Sequence, residues 1–372
     1  MSEDARMAFA AADRILREQC DKDLVDAAEA GVWPAELWDT LEAAGLTRAC
    51  APAALGGAEL APAHGLSLLR LVGSHAVPVP LADTMVATML LGEAGAEALP
   101  DGPIAIALAD GDLAVTPAGG EEGGEVTLTG LVPRVPFAPR AAAVLVIVAA
   151  PDAHGVLLAL IDPTQSLVDA DVNLAGEPVA DLRLDAERPT ACFSLPGDSA
   201  VSGQSLGYRT IEEVRGLLAL TRALMIAGAM DSALELGTSY ALERKQFGRA
   251  IAKFQAVQQQ LAVLAGEAAA ALRAADGGLE ALGGPTWLVE VAVAKARAGE
   301  AAGRGAEIAH QVHGAMGFTH EHRLHHRTRR MWAWRDEYGH EAYWQAWLGH
   351  RIARTGADGL WPFITGTSAA AD

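Results

Sequence analysis

The sequence predicts a mostly helical protein with a β domain set in its middle. An N-terminal helical domain is expected over 1–100, an antiparallel β domain over 101–205 and a C-terminal four-helix bundle over 206–372. Three observations carry this. The apolar period changes twice, from helical to strand-like near 100 and back near 206. Gly, Pro and Asp turn residues interrupt the middle segment. With 372 residues, 51% of them apolar, the chain can build two or three domains of about 100–200 residues each.

In the first segment Leu37, Trp38 and Leu41 fall on one helix face, with Pro34 placed for a helix start and Gly45 for a C-terminal cap. Leu55-Gly56-Gly57 breaks the chain before the next helix. From 101, short apolar or alternating runs at 104–109, 126–130, 143–148 and 156–160 read as strands. Asp110-Gly111, Gly123-Gly124 and Asp152-Ala153-His154-Gly155 separate them as turns. Pro133, Pro136 and Pro139 mark 133–139 as an irregular segment, not a central strand. Beyond Leu206, residues 212–245 contain no Pro and keep a stripe at Val214, Leu217, Leu218 and Met225. Ala223, Ala227, Gly228, Ala229, Ser232 and Ala233 admit a closely packed neighbour. Helix breaks are expected at Phe247-Gly248, Asp276-Gly277-Gly278, Gly283-Gly284-Pro285 and Gly314-Ala315-Met316-Gly317, and short connections favour antiparallel packing. Thr367 to Asp372 reads as a frayed tail.

Charge excludes some partners. With 47 acidic against 28 basic residues, the net charge of -19 argues against nucleic acid and anionic membranes. The longest uninterrupted apolar run, 141–150, is short of the roughly 20 residues of a spanning helix. Met1-Ser2-Glu3-Asp4 is acidic where a signal peptide would be basic. Cys20, Cys50 and Cys192 lack C-x-x-C spacing and read as reduced thiols, so a cytoplasmic protein is expected.

Two constellations could carry chemistry. Residues 240–251, followed by Phe254-Gln255, place the Arg244 guanidinium, the Phe247 ring and amide side chains at one helix junction. A guanidinium suits phosphate, although spacing alone fits a solvated helix corner as well. The second runs from His310 to His322, where Gly314 and Gly317 allow close backbone approach. Six of the eleven histidines lie between 310 and 326, which raises a metal-dependent enzyme as one alternative, but no Cys joins them.

In these two blocks the chain resembles the acyl-CoA dehydrogenase family. The resemblance rests on Glu243-Arg244-Lys245-Gln246-Phe247-Gly248 with Phe254-Gln255, and on Gln311 with Gly314 and Gly317-Phe318. Leu37-Trp38, Gly45-Leu46 and Pro52 to Gly57 add to it, and the helical, β, helical order runs nearly the whole length. The resemblance implies FAD. It implies that Arg244 and Phe247, with Gln246 beside them, reach across a subunit interface to the pyrophosphate side of a neighbour's FAD. Gln255, Gln311 and Gly314 are implied as further cofactor contacts, and Ala315 stands where the family carries a second glycine.

There are departures. The family's T-E-P-x-x-G-S-D is absent, residues 107–113 reading Ala-Leu-Ala-Asp-Gly-Asp-Leu, and 133–139 supplies neither the Trp nor the Thr that faces the flavin ring. The family's catalytic Glu-Gly pair falls at Asp336-Glu337-Tyr338-Gly339: a strict count gives Tyr338, a one-residue shift gives Glu337. Glu337 is the candidate base, its rival role being a charge paired with Arg335 or a neighbour. The other family position for the base falls near Leu218. The resemblance thus implies a subunit of a flavin-dependent acyl-CoA dehydrogenase acting on a steroid side-chain or other bulky acyl-CoA. It further implies a heterotetramer with a homologous subunit and an electron-transfer flavoprotein as electron acceptor. The alternative is a non-catalytic scaffold or regulatory partner of such an enzyme.

Overall fold

A computed structural model describes residues 3–109, 111, 113–117, 126–150, 155–195 and 210–365. The turns expected at Gly123-Gly124 and at Asp152-Ala153-His154, and the tail from Thr367, lie outside these residues. By packing the chain divides into two compact units, Met1–Leu218 and Ala219–Asp372.

The first unit opens with helices α1 (Glu3–Gln19), α2 (Lys22–Glu29), α3 (Ala35–Ala43), α4 (Pro62–Ser67), α5 (Leu69–His75) and α6 (Leu81–Glu93). Leu37, Trp38 and Leu41 are buried on α3, which ends before Gly45 at φ +71°. α6 is buried on every side from Leu81 to Leu91. Its Thr84 hydroxyl takes the Ile104 N–H at 3.0 Å, tying the helix to the first strand.

Eight strands follow: β1 (Ile104–Leu108), β2 (Ala114–Pro117), β3 (Val126–Pro136), β4 (Ala143–Ala149), β5 (Val156–Ile161), β6 (Leu167–Val172), β7 (Pro178–Glu187) and β8 (Ala191–Leu195). They form two four-stranded sheets, ordered β1-β4-β5-β8 and β2-β3-β7-β6. Val144, Val146, Val148 and Ala159 of one share a core with Leu128, Val132, Leu182 and Leu184 of the other. Two expectations are corrected. Pairing is antiparallel except that β1 runs parallel to β4. Pro133 and Pro136 lie inside β3, an internal strand, because the ladder with β7 shifts register between Val132 and Val135. There Arg134 takes φ +51° and its N–H finds the Asp181 carboxylate at 2.8 Å. A bulge thus absorbs Pro133, while Pro136 is the last residue of the strand, opposite Val179.

Helix α7 (Ile211–Glu243) runs from the first unit into the second. Among the described residues it is the one helix long and apolar enough to cross a membrane, yet most of that stretch is buried within the fold. Burial is all round from Val214 to Met230, not a stripe. After a two-stranded hairpin, β9 (Lys245–Gln246) and β10 (Arg249–Ala250), come α8 (Gln255–Glu280), α9 (Trp287–His313), α10 (Leu324–Asp336) and α11 (Glu341–Thr365). The helix expected to break at Asp276-Gly277-Gly278 instead continues to Glu280. Gly278 is there for contact: a Cβ on it would sit 2.6 Å from Leu220 Cδ1 of α7. Gly305 of α9 likewise leaves room for Met230, whose Cε a Cβ would meet at 2.3 Å. Trp334 and Trp344 are core residues of this unit.

Candidate functional site

The Arg244 block is built on a tight hairpin. α7 closes at Glu243, and β9 pairs antiparallel with β10, Gln246 opposite Arg249. The two turn residues, Phe247 and Gly248, take φ +50° and +78°. Two left-handed residues match the twist of a two-residue hairpin, and a phenylalanine there is strained by about 1–3 kcal/mol. That backbone leaves the Phe247 ring 91% exposed. Its support is an aromatic stack: Phe254 meets it edge-on at 6.1 Å, and Arg249 lies 4.3 Å over the Phe254 ring. Ile251 N–H donates to Arg244 O at 2.8 Å, closing the loop at its base. Arg244, Lys245, Gln246, Arg249, Lys253 and Gln255 are exposed, so four cations gather within ten residues of an acidic chain.

The second block ends α9. Gly314, at φ +59° and ψ −140°, stops the helix in a conformation open to glycine, and nothing lies within 4 Å of where its Cβ would be. Gln311 is exposed on the last turn while Val312 and His313 point inward. The Tyr240 ring of α7 stacks on His313 at 4.8 Å, so the ends of α7 and α9 meet. α8 packs antiparallel to α9 after a short connection, which brings its first residue, Gln255, to this same end. All six residues expected to contact the cofactor therefore gather at one end of the bundle.

The histidines nearby are packing groups. His310 stacks on Phe318 at 4.5 Å and its Nε2 lies 2.9 Å from the Thr328 hydroxyl. His313 Nδ1 donates to Ala309 O at 2.7 Å and its ring tilts against His322 at 4.5 Å. Burial lowers the pKa of His310 and of His313. Burial, then the charges of His313, Arg323, His325 and Arg327, takes His322 to about 4. Neutral rings leave the positive charge at this end to arginine and lysine.

Glu337 lies elsewhere. It follows the last residue of α10, and its Oε2 accepts from Arg222 Nε at 2.6 Å, the arginine side chain being 3% exposed. Arg222 also lies 4.9 Å over the Tyr338 ring. Lys295, wholly buried on α9, donates from Nζ to Arg335 O at 2.6 Å and to Gly339 O at 2.7 Å, bracketing the turn. Burial drops the Lys295 ammonium to about 7, against the pull of Glu337. Arg335 pairs with Glu341 instead of Glu337 and holds that carboxyl at about 2. Arg222 stands about 27 Å along α7 from Tyr240 at 1.5 Å per residue, so Glu337 is not part of the Arg244 cluster. Sequence reasoning missed Arg222 and Lys295. Their signal was a lone cation inside an apolar run, Leu-Ala-Leu-Thr-Arg-Ala-Leu and Ala-Val-Ala-Lys-Ala, which requires a buried counter-charge or acceptor.

Residues 207–342 match the family model for the acyl-CoA dehydrogenase C-terminal domain. The chain is 28% identical to acyl-CoA dehydrogenase FadE27 of Mycobacterium tuberculosis over 317 residues, covering 78% of this chain and 80% of that protein. A variant of the Tcur3481-Tcur3483 steroid ACAD superposes with a TM-score of 0.82 at 25% identity, over 95% of this chain and 99% of that one. The ChsE4-ChsE5 complex from Mycobacterium tuberculosis has a chain of the same fold, with a TM-score of 0.78 at 22% identity over 96% and 99%. Its C-terminal segment thus matches that family's own domain, and its fold follows that of acyl-CoA dehydrogenases end to end.

Proposed function

We propose that this chain is a subunit of a flavin-dependent acyl-CoA dehydrogenase that completes the FAD site of a homologous subunit. The observation that carries this is the gathering of Arg244, Gln246, Phe247, Gln255, Gln311 and Gly314 on one exposed end of the bundle. Among the described residues no hydrogen bond or ion pair engages the Arg244 guanidinium, and the backbone at Gly314 is open. These residues fit the pyrophosphate of a dinucleotide: a planar donor fork, amide donors and a close backbone approach. FAD, when bound, would accept the β-hydride of an acyl-CoA thioester. Arg244 would bond the diphosphate oxygens, and the Phe247 ring would cover that contact from water. The lack of T-E-P-x-x-G-S-D at 107–113 and of Trp and Thr at 133–139 supports placing the flavin ring against the partner chain.

For the α-proton the proposal has two forms. In one, Glu337 takes it; in the other, the partner supplies the base. The Arg222 ion pair favours the second, because a proton on Oε2 would strip a buried guanidinium of its counter-ion. Relatives named as a steroid ACAD and as a two-protein complex support a bulky acyl-CoA as substrate and a homologous chain as partner, in a heterotetramer. An electron-transfer flavoprotein would receive the electrons, and the acidic surface and buried α7 fit work in the cytoplasm. Absorbance of the purified protein tests the proposal. A flavin band is expected when the chain is purified with a homologous dehydrogenase subunit and not when it is purified alone. Stoichiometric flavin on the isolated chain would contradict it.

A further inference from the structure

Phe318 is an exposed aromatic that the cluster at Arg244 does not use. It closes the 3-10 turn Gly314–Phe318 after α9 and is 74% exposed. The ring is nevertheless fixed. His310 of α9 stacks behind it, centroids 4.5 Å apart and planes 27° from parallel. His310 is fixed in turn: the Thr328 hydroxyl of α10 donates to His325 O at 3.4 Å and accepts from His310 Nε2 at 2.9 Å. Thr319 closes the turn, its N–H and its hydroxyl both donating to Met316 O, at 3.2 and 3.1 Å. A Cβ on Gly317 would lie 2.9 Å from His313 Cβ and 3.2 Å from His310 Nδ1, so the bare glycine lets the turn settle on both imidazoles.

The surroundings of the ring say what it receives. Gln311 is exposed, and the backbone at Gly314 is open. Among the described residues no hydrogen bond engages the Gln311 amide. Thr319 and His320 follow the ring, and Met316 is the other exposed large apolar side chain between 310 and 323. Phe318 is thus a lone aromatic face, not part of an apolar patch that would seat another protein. Contacts inside the second unit lead from it to Arg244. Gly317 rests on His313, His313 stacks on Tyr240 at 4.8 Å, and Tyr240 O accepts the Arg244 N–H at 2.8 Å. A fixed aromatic face beside an amide and a guanidinium suited to phosphate fits a purine nucleotide. Stacking asks only for a flat ring, and an amide both donates to and accepts from a base edge.

We propose that Phe318, backed by His310, is the stacking platform for the adenine of the FAD, with the Gln311 amide at the base edge. This chain then holds the dinucleotide by its adenosine end. The proposal rests on the reading of Arg244 as a diphosphate contact and extends it to a residue outside that cluster.

Nucleotide binding by the complex with the homologous subunit tests it. Stripped of flavin, the complex is titrated with FAD and separately with ADP, which carries the adenosine diphosphate without the flavin ring. Phe318→Ala and Phe318→Leu are each expected to weaken both ligands about 5- to 150-fold, and Phe318→Tyr to stay within about twofold of wild type. Leucine keeps the apolar bulk and loses the flat face, so it separates stacking from packing. Sedimentation is expected to show intact complexes, because the side chain stands in water. A Phe318→Leu complex that holds FAD like wild type overturns the proposal. So does one that loses FAD while keeping its affinity for ADP, one that no longer assembles, or a wild-type complex that does not bind ADP. Arg244→Ala, measured alongside, separates the two readings. Wild-type flavin affinity in that variant refutes the diphosphate contact, whereas a loss at Arg244 with none at Phe318 refutes the platform alone.

Discussion

Removing the Glu337 carboxylate leaves Arg222 buried without its counter-ion. The guanidinium is 3% exposed and bonded at 2.6 Å, and Lys295, buried close by, adds a like charge to the strain. Breaking a buried pair by removing one partner costs about 3–5 kcal/mol. At about 2–4 °C per kcal/mol for a domain of this size, Glu337→Ala should lower the thermal midpoint by about 6–20 °C. Replacing both partners, Arg222→Met with Glu337→Leu, removes both charges and should restore most of that loss. Urea titration followed by circular dichroism yields the cycle, and a coupling of about 2 kcal/mol or more is expected. A Glu337→Ala variant within about 0.5 kcal/mol of wild type would refute the structural role of the pair. So would a double variant as unstable as the sum of the two single ones.

Other outcomes follow from the same region. Lys295 is lowered to about 7 by burial, among Glu337, Arg222, Asp336 and Glu341. Below pH 7 both states bind its proton; above it the unfolded chain binds more, so stability should climb from pH 7 toward 10, by on the order of 4 kcal/mol. Lys295→Met should flatten that slope in urea titrations at stepped pH. His322, lowered to about 4, should show no imidazole titration by NMR above pH 5, and protonating it between pH 6 and 4 should cost stability. Gly339 sits at φ +97°, and a Cβ there would lie 2.7 Å from Tyr343 Cδ1. Gly339→Ala should therefore destabilise by about 1–3 kcal/mol in thermal unfolding.

The ends of α7 and α9 were legible in the sequence because their signals are local. Phe247-Gly248 and Gly314 mark within a few residues that a helix stops there. Signals that depend on distant partners were not. Asp276-Gly277-Gly278 looks like a break, yet Gly278 serves the Leu220 side chain of another helix. Pro133 and Pro136 look like loop, yet a register shift against β7 takes in the first and the second closes the strand opposite Val179. The parallel β1–β4 pair has no local signature, since both strands are buried on each face and read as plain apolar runs. Glu337 was legible as a carboxylate of interest, whereas its tie to Arg222 depends on a contact 115 residues away. Trp334 and Trp344 fill the core, whereas Trp361 is exposed.

The claim that this chain lends a phosphate contact to a flavin held largely by its neighbour is tested most directly at Arg244. Arg244→Ala, in the complex with the homologous subunit, removes a charge-assisted contact worth about 1.5–3 kcal/mol, or roughly 10- to 150-fold in cofactor affinity. Flavin fluorescence on serial dilution is the assay, with sedimentation confirming that the complex is intact. The expected result is an assembled complex that sheds FAD at concentrations where wild type keeps it. An Arg244→Ala complex that holds its flavin as tightly as wild type would contradict the account and leave the hairpin a structural corner.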